Sequence, residues 1–215
     1  SAPAIGLAML KIKEKNPNAV VAIHPADHVI NRLKNFYENI SYLLNKAQSS
    51  SSLFTLGIKP HYPATGYGYI NLIDSEVKTN LYKVVNFIEK PNIDYAKKYF
   101  VNKNYLWNSG IFIWSISSFF EQLEEHNLIL YKSLKLIENE KDNKKKNIIW
   151  NEIDSISIDY GLLEKTKKLY VMKADFDWID MGSFKSLYEI NKKDDQNNVI
   201  LGKGFSHNAN NNLIF

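Results

Sequence analysis

Short apolar segments alternate with longer amphipathic segments along most of this chain. Strands are expected at residues 19–23, 53–58, 68–77, 81–89, 111–114 and 169–173. Helices are expected between them at residues 4–15, 31–48, 92–100, about 115–123 and 183–190. Because each amphipathic helix must bury its apolar stripe against a sheet, this alternation indicates a layered α/β domain with a largely parallel sheet.

Two regions depart from this regular pattern. Residues 127–165 look helical with a lysine-rich break, and Lys144–Lys146 in that break is interpreted as a solvated loop. After Lys192, Asn, Asp and Gly separate short apolar pieces at 199–201 and 213–215, which indicates the start of β structure. We therefore expect one domain over residues 1–192 and the start of a C-terminal β segment over residues 193–215.

Composition argues against a membrane-spanning, disulfide-bonded or nucleic-acid-binding protein. The hydrophobic fraction of 45% is enough for a sizeable core, and no apolar run approaches the length of a membrane span, so we expect no membrane partner. There is no cysteine, which excludes disulfides and thiolate metal sites and fits a reducing compartment, so a cytoplasmic location is expected. The net charge of +4 is mild, and one short basic run is too little for a nucleic-acid partner.

Two aspartates stand where chemistry is expected in an α/β protein. Asp27 follows the apolar strand 19–23, and Asp180 follows a second apolar stretch and precedes Gly182. Ligands bind beyond the carboxyl ends of strands in such folds, so both carboxylates could converge on one divalent cation. A shared cation would suit phosphoryl or nucleotidyl transfer. The plainer alternative is that each aspartate caps the helix that follows it.

Three other motifs contain residue types that suit a sugar phosphate. Gly66 and Gly68 would let the backbone approach a ligand, although for this motif taken alone a tight turn into the next strand is the favoured explanation. Glu89 suits a sugar hydroxyl and Lys90 a phosphate, although a surface ion pair is the alternative. Asn108 can donate to and accept from a hydroxyl, although an Asn-Ser-Gly turn is the alternative.

Three further polar residues are interpreted as structural. His24 and His28 flank Asp27 without the spacing of a zinc site, so we assign them a supporting or structural role. Asp159 begins an amphipathic segment over residues 158–165, and it either caps that segment or points into a pocket. Of these two roles, capping is the one we expect.

Taken in order, these segments resemble the sugar-1-phosphate nucleotidyltransferases, and among them the bacterial mannose-1-phosphate guanylyltransferases. The similarity covers about residues 2–190; residues 65–70 and 107–110 are its specific parts, and residues 89–91 are shared more widely. It implies a Rossmann-like three-layer nucleotidyltransferase domain with a mixed, mostly parallel sheet. It also implies GTP and mannose 1-phosphate as substrates, GDP-mannose and pyrophosphate as products, and Mg²⁺ as the cofactor.

The resemblance implies a role for each residue of the site. Asp27 and Asp180 would hold Mg²⁺, and together with Lys90, which would bind the sugar phosphate, they form the expected catalytic set. The remaining residues would contact the sugar or line its pocket: Tyr67, Gly68, Glu89, Asn108 and Trp178.

The chain also departs from the family pattern. Enzymes of this family open with a strand and a glycine-rich Gly-Thr-Arg loop around the triphosphate, and neither occurs here. We therefore expect that the N-terminal part is missing and that this chain alone binds a sugar phosphate weakly without turning over GTP. A sheet edge left open in this way would also allow a homodimer. The alternatives are a related enzyme using UTP or dTTP with glucose 1-phosphate, or a non-catalytic sugar-phosphate-binding subunit.

Overall fold

A six-stranded sheet forms the middle layer of the protein, whose computed structural model describes residues 1–73 and 80–215. The strands are β1 (Val20–Ile23), β2 (His28–Ile30), β3 (Leu53–Ile58), β4 (Tyr69–Leu72), β5 (Leu81–Ile88), β6 (Tyr105–Ser115), β7 (Leu169–Lys173), β8 (Trp178–Asp180), β9 (Val199–Ile200) and β10 (Leu213–Ile214). In the large sheet the order is β1-β6-β3-β7-β5-β4, and β4 also pairs with β6. The predicted strand 68–77 corresponds to β4, and its residues 74–77 lie outside the described residues.

The sheet is mixed, and its strand directions correct one expectation. β1, β3, β4 and β7 point the same way, whereas β5 and β6 run against them. β3 and β7 are therefore the one parallel pair in the described sheet. β1 and β3 point the same way but are not neighbours, because β6 lies between them. The layered α/β class and the mixed sheet are confirmed, but most neighbouring pairs are antiparallel rather than parallel.

Helices cover both faces of this sheet. They are α1 (Ala2–Lys15), α2 (Leu33–Gln48), α3 (Ile93–Val101), α4 (Ile116–His126), α5 (Leu128–Asn139), α6 (Asn143–Asn151) and α7 (Phe184–Ile190). One apolar layer joins α1, α4 and α5 to the sheet around Trp114 and Phe119, and the other joins α2 to it around Leu43 and Trp107. The three-layer arrangement is therefore confirmed. No helix in the described ranges is long and apolar enough to cross a membrane.

The region 127–165 is more broken than the sequence suggested. It contains α5, α6 and a π-helical turn (Asp159–Leu163), and residues 152–157 between α6 and that turn are not helical. Lys144–Lys146 lies in the first turn of α6 rather than in a loop, since Asp142 caps that helix by accepting from the Lys144 N–H at 2.8 Å. Because Asp142 caps α6, the helix begins before the three lysines, and the break in helical structure lies ahead of them.

The last strand predicted before the helical region is longer than expected. The sequence indicated residues 111–114, and the structure extends β6 back to Tyr105. The register between β3 and β6 shifts at residues 109–111, where Gly110 has a φ of 72°. This β-bulge places the anticipated Asn-Ser-Gly turn inside the strand, because glycine accepts the left-handed conformation without strain.

The C-terminal residues form a small separate pair of strands. β9 and β10 pair in parallel, and the Phe215 ring stacks on Phe184 of α7 with 5.6 Å between centroids. The buried Asn198 side chain donates to the Ala209 carbonyl at 2.8 Å and accepts from the Asn212 N–H at 3.0 Å. These bonds hold the loop between the two strands; the division into domains at residue 192 stays a prediction.

Candidate functional site

A cleft of about 400 Å³ opens beyond the carboxyl end of β1 and along the bulge of β6. Seven of the eight residues proposed from the sequence line it: Tyr67, Gly68, Glu89, Lys90, Asn108, Trp178 and Asp180. The eighth, Asp27, is exposed and does not line the cleft. The structure thus brings together predicted residues from four separate segments, while the role of each residue stays a prediction.

The inner end of the cleft is built around Gly68. Its carbonyl accepts the Asn108 backbone N–H at 2.8 Å, which ties the start of β4 to the middle of β6. A Cβ atom at position 68 would stand 2.5 Å from Glu89 Oε2, so only glycine leaves room for that carboxylate. Glu89 Oε2 is buried and has no hydrogen-bond partner in the described part of the chain. A buried acceptor of this kind is costly unless a ligand donor completes it.

Asp159 lines the cleft, which the sequence interpretation gave as the alternative to capping. The expectation that it caps a helix is wrong, since Ile158 holds the cap position and Asp159 lines the cleft. Its Oδ1 accepts the Asn108 side-chain N–H at 3.1 Å, and Asn108 Oδ1 accepts the Gly110 N–H at 3.0 Å. Asn108 is therefore a spacer that fixes the Asp159 carboxyl, with one side-chain N–H left for a ligand.

Burial shapes the ionisation of the two cleft carboxyls. It raises the pKa of Glu89, and the nearby Asp159 raises it further, while Lys90 opposes both effects. Burial also raises the pKa of Asp159, against the effect of its hydrogen bonds with the backbone and Ser157. Lys90 Nζ lies 3.5 Å from Glu89 Oε1 with its side chain largely exposed at the rim. The cleft thus offers two hydroxyl acceptors beside one cation.

Lys90 has an unusual backbone conformation. Its φ is 46°, in the left-handed region, and Pro91 follows directly. A non-glycine residue in this region costs roughly 1–3 kcal/mol and persists only where the surroundings determine it. Here the Glu89 N–H donates to Glu164 Oε1 at 3.0 Å, which anchors the chain just before the turn. Backbone strain of this kind is often found where a residue contacts a ligand, and Lys90 lies at the rim of the cleft.

Replacing Glu89 with glutamine is expected to stabilise the fold at neutral and higher pH. In the folded state the Glu89 pKa lies above the usual 4.5, so the folded state holds its proton to a higher pH than the unfolded chain does. The Glu89 carboxyl therefore destabilises the fold least below pH 4.5, and the free energy of unfolding falls as pH rises from there through the folded-state pKa.

Thermal melting across pH tests this expectation. Glu89→Gln should raise the melting temperature at about pH 8 and change it little at about pH 4.5. The exposed Glu38→Gln, on α2, serves as the control and should give no such difference. A Glu89→Gln protein that melts lower at both pH values would contradict the burial argument.

A short antiparallel ribbon places the two aspartates next to each other. β2 pairs with β8 so that His28 stands opposite Asp180, and the Met181 N–H donates to the Asp27 carbonyl at 3.3 Å. Asp180 Oδ1 accepts the Gly182 N–H at 2.8 Å, which leaves Oδ2 as the freer oxygen. Sequence patterns did not indicate this ribbon, because three-residue strands are too short to show a period.

The aspartate pair fits a magnesium site that substrate would complete. Across residues 1–73 and 80–215 no group of three or more His, Cys, Asp or Glu side chains could hold a metal ion. Mg²⁺ is usually held by one or two carboxylates together with water and substrate phosphates, so two aspartates are sufficient donors. Binding of one ion by both Asp27 and Asp180 stays a prediction.

Aromatic rings form the wall between the cleft and the ribbon. Tyr67 stands edge-to-face between Trp107 and Trp178, with centroid distances of 5.1 Å and 5.3 Å. Burial raises the Tyr67 pKa well above its usual range, and a hydrogen bond with Tyr62 adds to the effect. The phenol is therefore neutral at any physiological pH and available as a donor or acceptor.

Comparison with known proteins identifies the family. The nucleotidyl transferase family model matches residues 1–197. This chain belongs to the nucleotidyl transferase family. It is 34% identical over 226 residues to a mannose-1-phosphate guanylyltransferase of Escherichia coli, covering 100% of this chain and 48% of the relative. A mannose-1-phosphate guanylyltransferase of Salmonella montevideo is 37% identical over 222 residues, covering 98% of this chain and 46% of the relative.

A solved structure agrees with this membership of the nucleotidyl transferase family. A Thermus thermophilus protein described as a mannose-1-phosphate geranyltransferase superposes with a TM-score of 0.83 at 28% identity, covering 95% of this chain and 58% of that one. The resemblance inferred from the sequence is therefore confirmed at the level of the family. The chain spans about half the length of the curated relatives named above, at 48% and 46%.

Proposed function

We propose that this chain is the sugar-phosphate-binding part of an enzyme that transfers a guanylyl group from GTP to mannose 1-phosphate. The products are GDP-mannose and pyrophosphate. The observation that carries the proposal is the cleft in which Glu89 and Asp159 face one ligand volume with Lys90 at its rim. The names of the Escherichia coli and Salmonella montevideo relatives supply the choice of mannose 1-phosphate and of the guanylyl group.

The cleft suits the two ends of a sugar phosphate. Glu89 Oε2, buried and without a partner in the described residues, accepts a sugar hydroxyl, and the Asp159 carboxyl held by Asn108 accepts another. Lys90 contributes a flexible point charge at the rim, where the phosphate has access to solvent. The aromatic wall at Tyr67 and Trp178 covers the apolar face of the sugar ring.

The reaction then needs positioning and charge neutralisation more than covalent help. A phosphate oxygen of mannose 1-phosphate attacks the α-phosphorus of GTP in line, and the bond to the β-phosphate oxygen breaks as pyrophosphate leaves. Lys90 holds the attacking phosphate, and the two cleft carboxyls fix the sugar behind it. Asp27 and Asp180 would hold Mg²⁺, which when bound screens the repulsion between the two anionic substrates.

Removing the Lys90 charge tests the proposed orientation. In the full enzyme, Lys90→Ala is expected to raise the KM for mannose 1-phosphate by about tenfold and to leave the KM for GTP nearly unchanged, since the lost ion pair concerns one substrate. Steady-state kinetics with each substrate varied in turn measures this. Lys83→Ala, an exposed lysine on β5, is the matched control and should change neither constant. An unchanged KM and kcat for mannose 1-phosphate in Lys90→Ala would remove Lys90 from the site.

A further inference from the structure

His28, on β2, is held in a fixed orientation against Trp178 of β8. The Trp178 indole N–H donates to His28 Nδ1 at 2.9 Å, and the two rings meet edge-to-face with centroids 5.0 Å apart. On another side, a Cβ atom added at Gly110 would lie 3.7 Å from His28 Cε1 and 3.0 Å from Pro25 Cγ. Only 11% of the side chain is exposed, so the ring has little freedom to rotate.

This packing determines which nitrogen of the ring faces Asp180. Because Nδ1 accepts a hydrogen bond, a neutral imidazole carries its proton on Nε2. Nε2 stands 4.0 Å from Asp180 Oδ1, the oxygen that also accepts the Gly182 N–H. The separation is too long for a hydrogen bond but short enough for the N–H dipole to favour this placement of the carboxylate.

We propose that His28 is a positioning residue for Asp180. The Trp178–His28 pair presents the Nε2–H to Asp180 Oδ1, and this orientation, together with the Gly182 N–H, leaves Oδ2 free for a divalent cation. The inference rests on the proposed function for the use of Asp180 as a ligand. Groups that orient a metal-binding side chain in this way usually change metal affinity by 10- to 100-fold when they are removed.

Two substitutions test the two ring nitrogens of His28 separately. His28→Asn keeps an acceptor near the position of Nδ1 for Trp178 but removes the donor that faces Asp180. His28→Gln extends far enough to keep an N–H near the position of Nε2. His207→Asn, at an exposed histidine in the C-terminal segment, is the control for loss of an imidazole.

Binding of Mn²⁺, followed by electron paramagnetic resonance in the presence of mannose 1-phosphate, measures the effect directly. His28→Asn is expected to weaken Mn²⁺ binding by about tenfold, and His28→Gln and His207→Asn by no more than about threefold. Equal Mn²⁺ affinity in His28→Asn and the parent chain would overturn the proposal. If the parent chain binds no Mn²⁺, the proposal also fails, whereas the proposed function is judged by the heat of mannose 1-phosphate binding.

The tautomer gives a readout that does not depend on metal. Two-bond ¹H–¹⁵N correlation spectra of the parent chain are expected to show His28 protonated on Nε2 and not on Nδ1. A mere packing role for the ring would instead predict similar Mn²⁺ affinities for His28→Asn and His28→Gln. Protonation on Nδ1 would contradict the Trp178 hydrogen bond and with it the proposed arrangement.

Discussion

Gly68→Ala is expected to weaken the binding of mannose 1-phosphate by at least about tenfold, whereas Gly66→Ala leaves it unchanged. A Cβ atom at position 68 would lie 2.5 Å from Glu89 Oε2 and 3.3 Å from Asn108 Cβ, so the carboxylate that faces the ligand must move. Gly66 also lines the cleft, but a Cβ atom there meets nothing within 4 Å, so it leaves the Glu89 carboxylate in place. The two glycines stand two residues apart in one motif, which makes the pair a matched comparison.

Calorimetric titration of each variant with mannose 1-phosphate measures the difference. Neither glycine has a positive φ, so backbone strain does not distinguish the substitutions. Thermal melting of the same samples shows whether Gly68→Ala is still folded. Equal affinities for the two folded variants would show that the Glu89 carboxylate does not contact the sugar.

Asp159→Asn is expected to reduce mannose 1-phosphate affinity by about tenfold while raising the melting temperature at neutral pH. The affinity falls because an amide offers one weaker acceptor in place of a carboxylate. The melting temperature rises because burial raises the folded-state pKa of Asp159, so its ionised form is unfavourable in the fold. Binding and stability should therefore change in opposite directions, which general unfolding cannot produce.

The bond between Asn108 and Asp159 allows a double-mutant cycle. Their 3.1 Å hydrogen bond predicts that Asn108→Ala and Asp159→Asn are not additive, since Asn108→Ala removes the contact that Asp159→Asn weakens. Asp154→Asn, at an exposed aspartate a short distance earlier in the chain, is the control and should change neither affinity nor stability. Strict additivity of the first two substitutions would contradict the spacer role of Asn108.

Regular apolar patterns account for the part of the fold that could be predicted from sequence. β3 and β7 are short, mostly apolar runs, and α1 and α2 carry apolar residues at helical spacing, so their bounds agree with expectation to within two residues. The cleft residues could be anticipated for a related reason: Glu89 directly follows β5 and Asp180 ends β8, and ligands bind at strand ends in α/β folds.

The features that sequence did not indicate depend on contacts between distant segments. The antiparallel insertion of β6 between β1 and β3 depends on pairing across distant residues, which a local pattern does not record. From sequence, Asp159 stands at the start of a helical turn whether it caps that turn or reaches the cleft, and only the position of Asn108 separates the two cases. His28 becomes informative only once β2 and β8 place it against Trp178 and Asp180.

¹H–¹⁵N spectra of this chain titrated with mannose 1-phosphate show whether the cleft around Glu89 binds the sugar phosphate. We expect saturable shifts of the Gly68, Asn108 and Gly110 amides, which lie in the cleft, and their loss in Gly68→Ala but not in Gly66→Ala. Shifts confined to residues outside the cleft, or the same titration in both variants, would contradict this expectation.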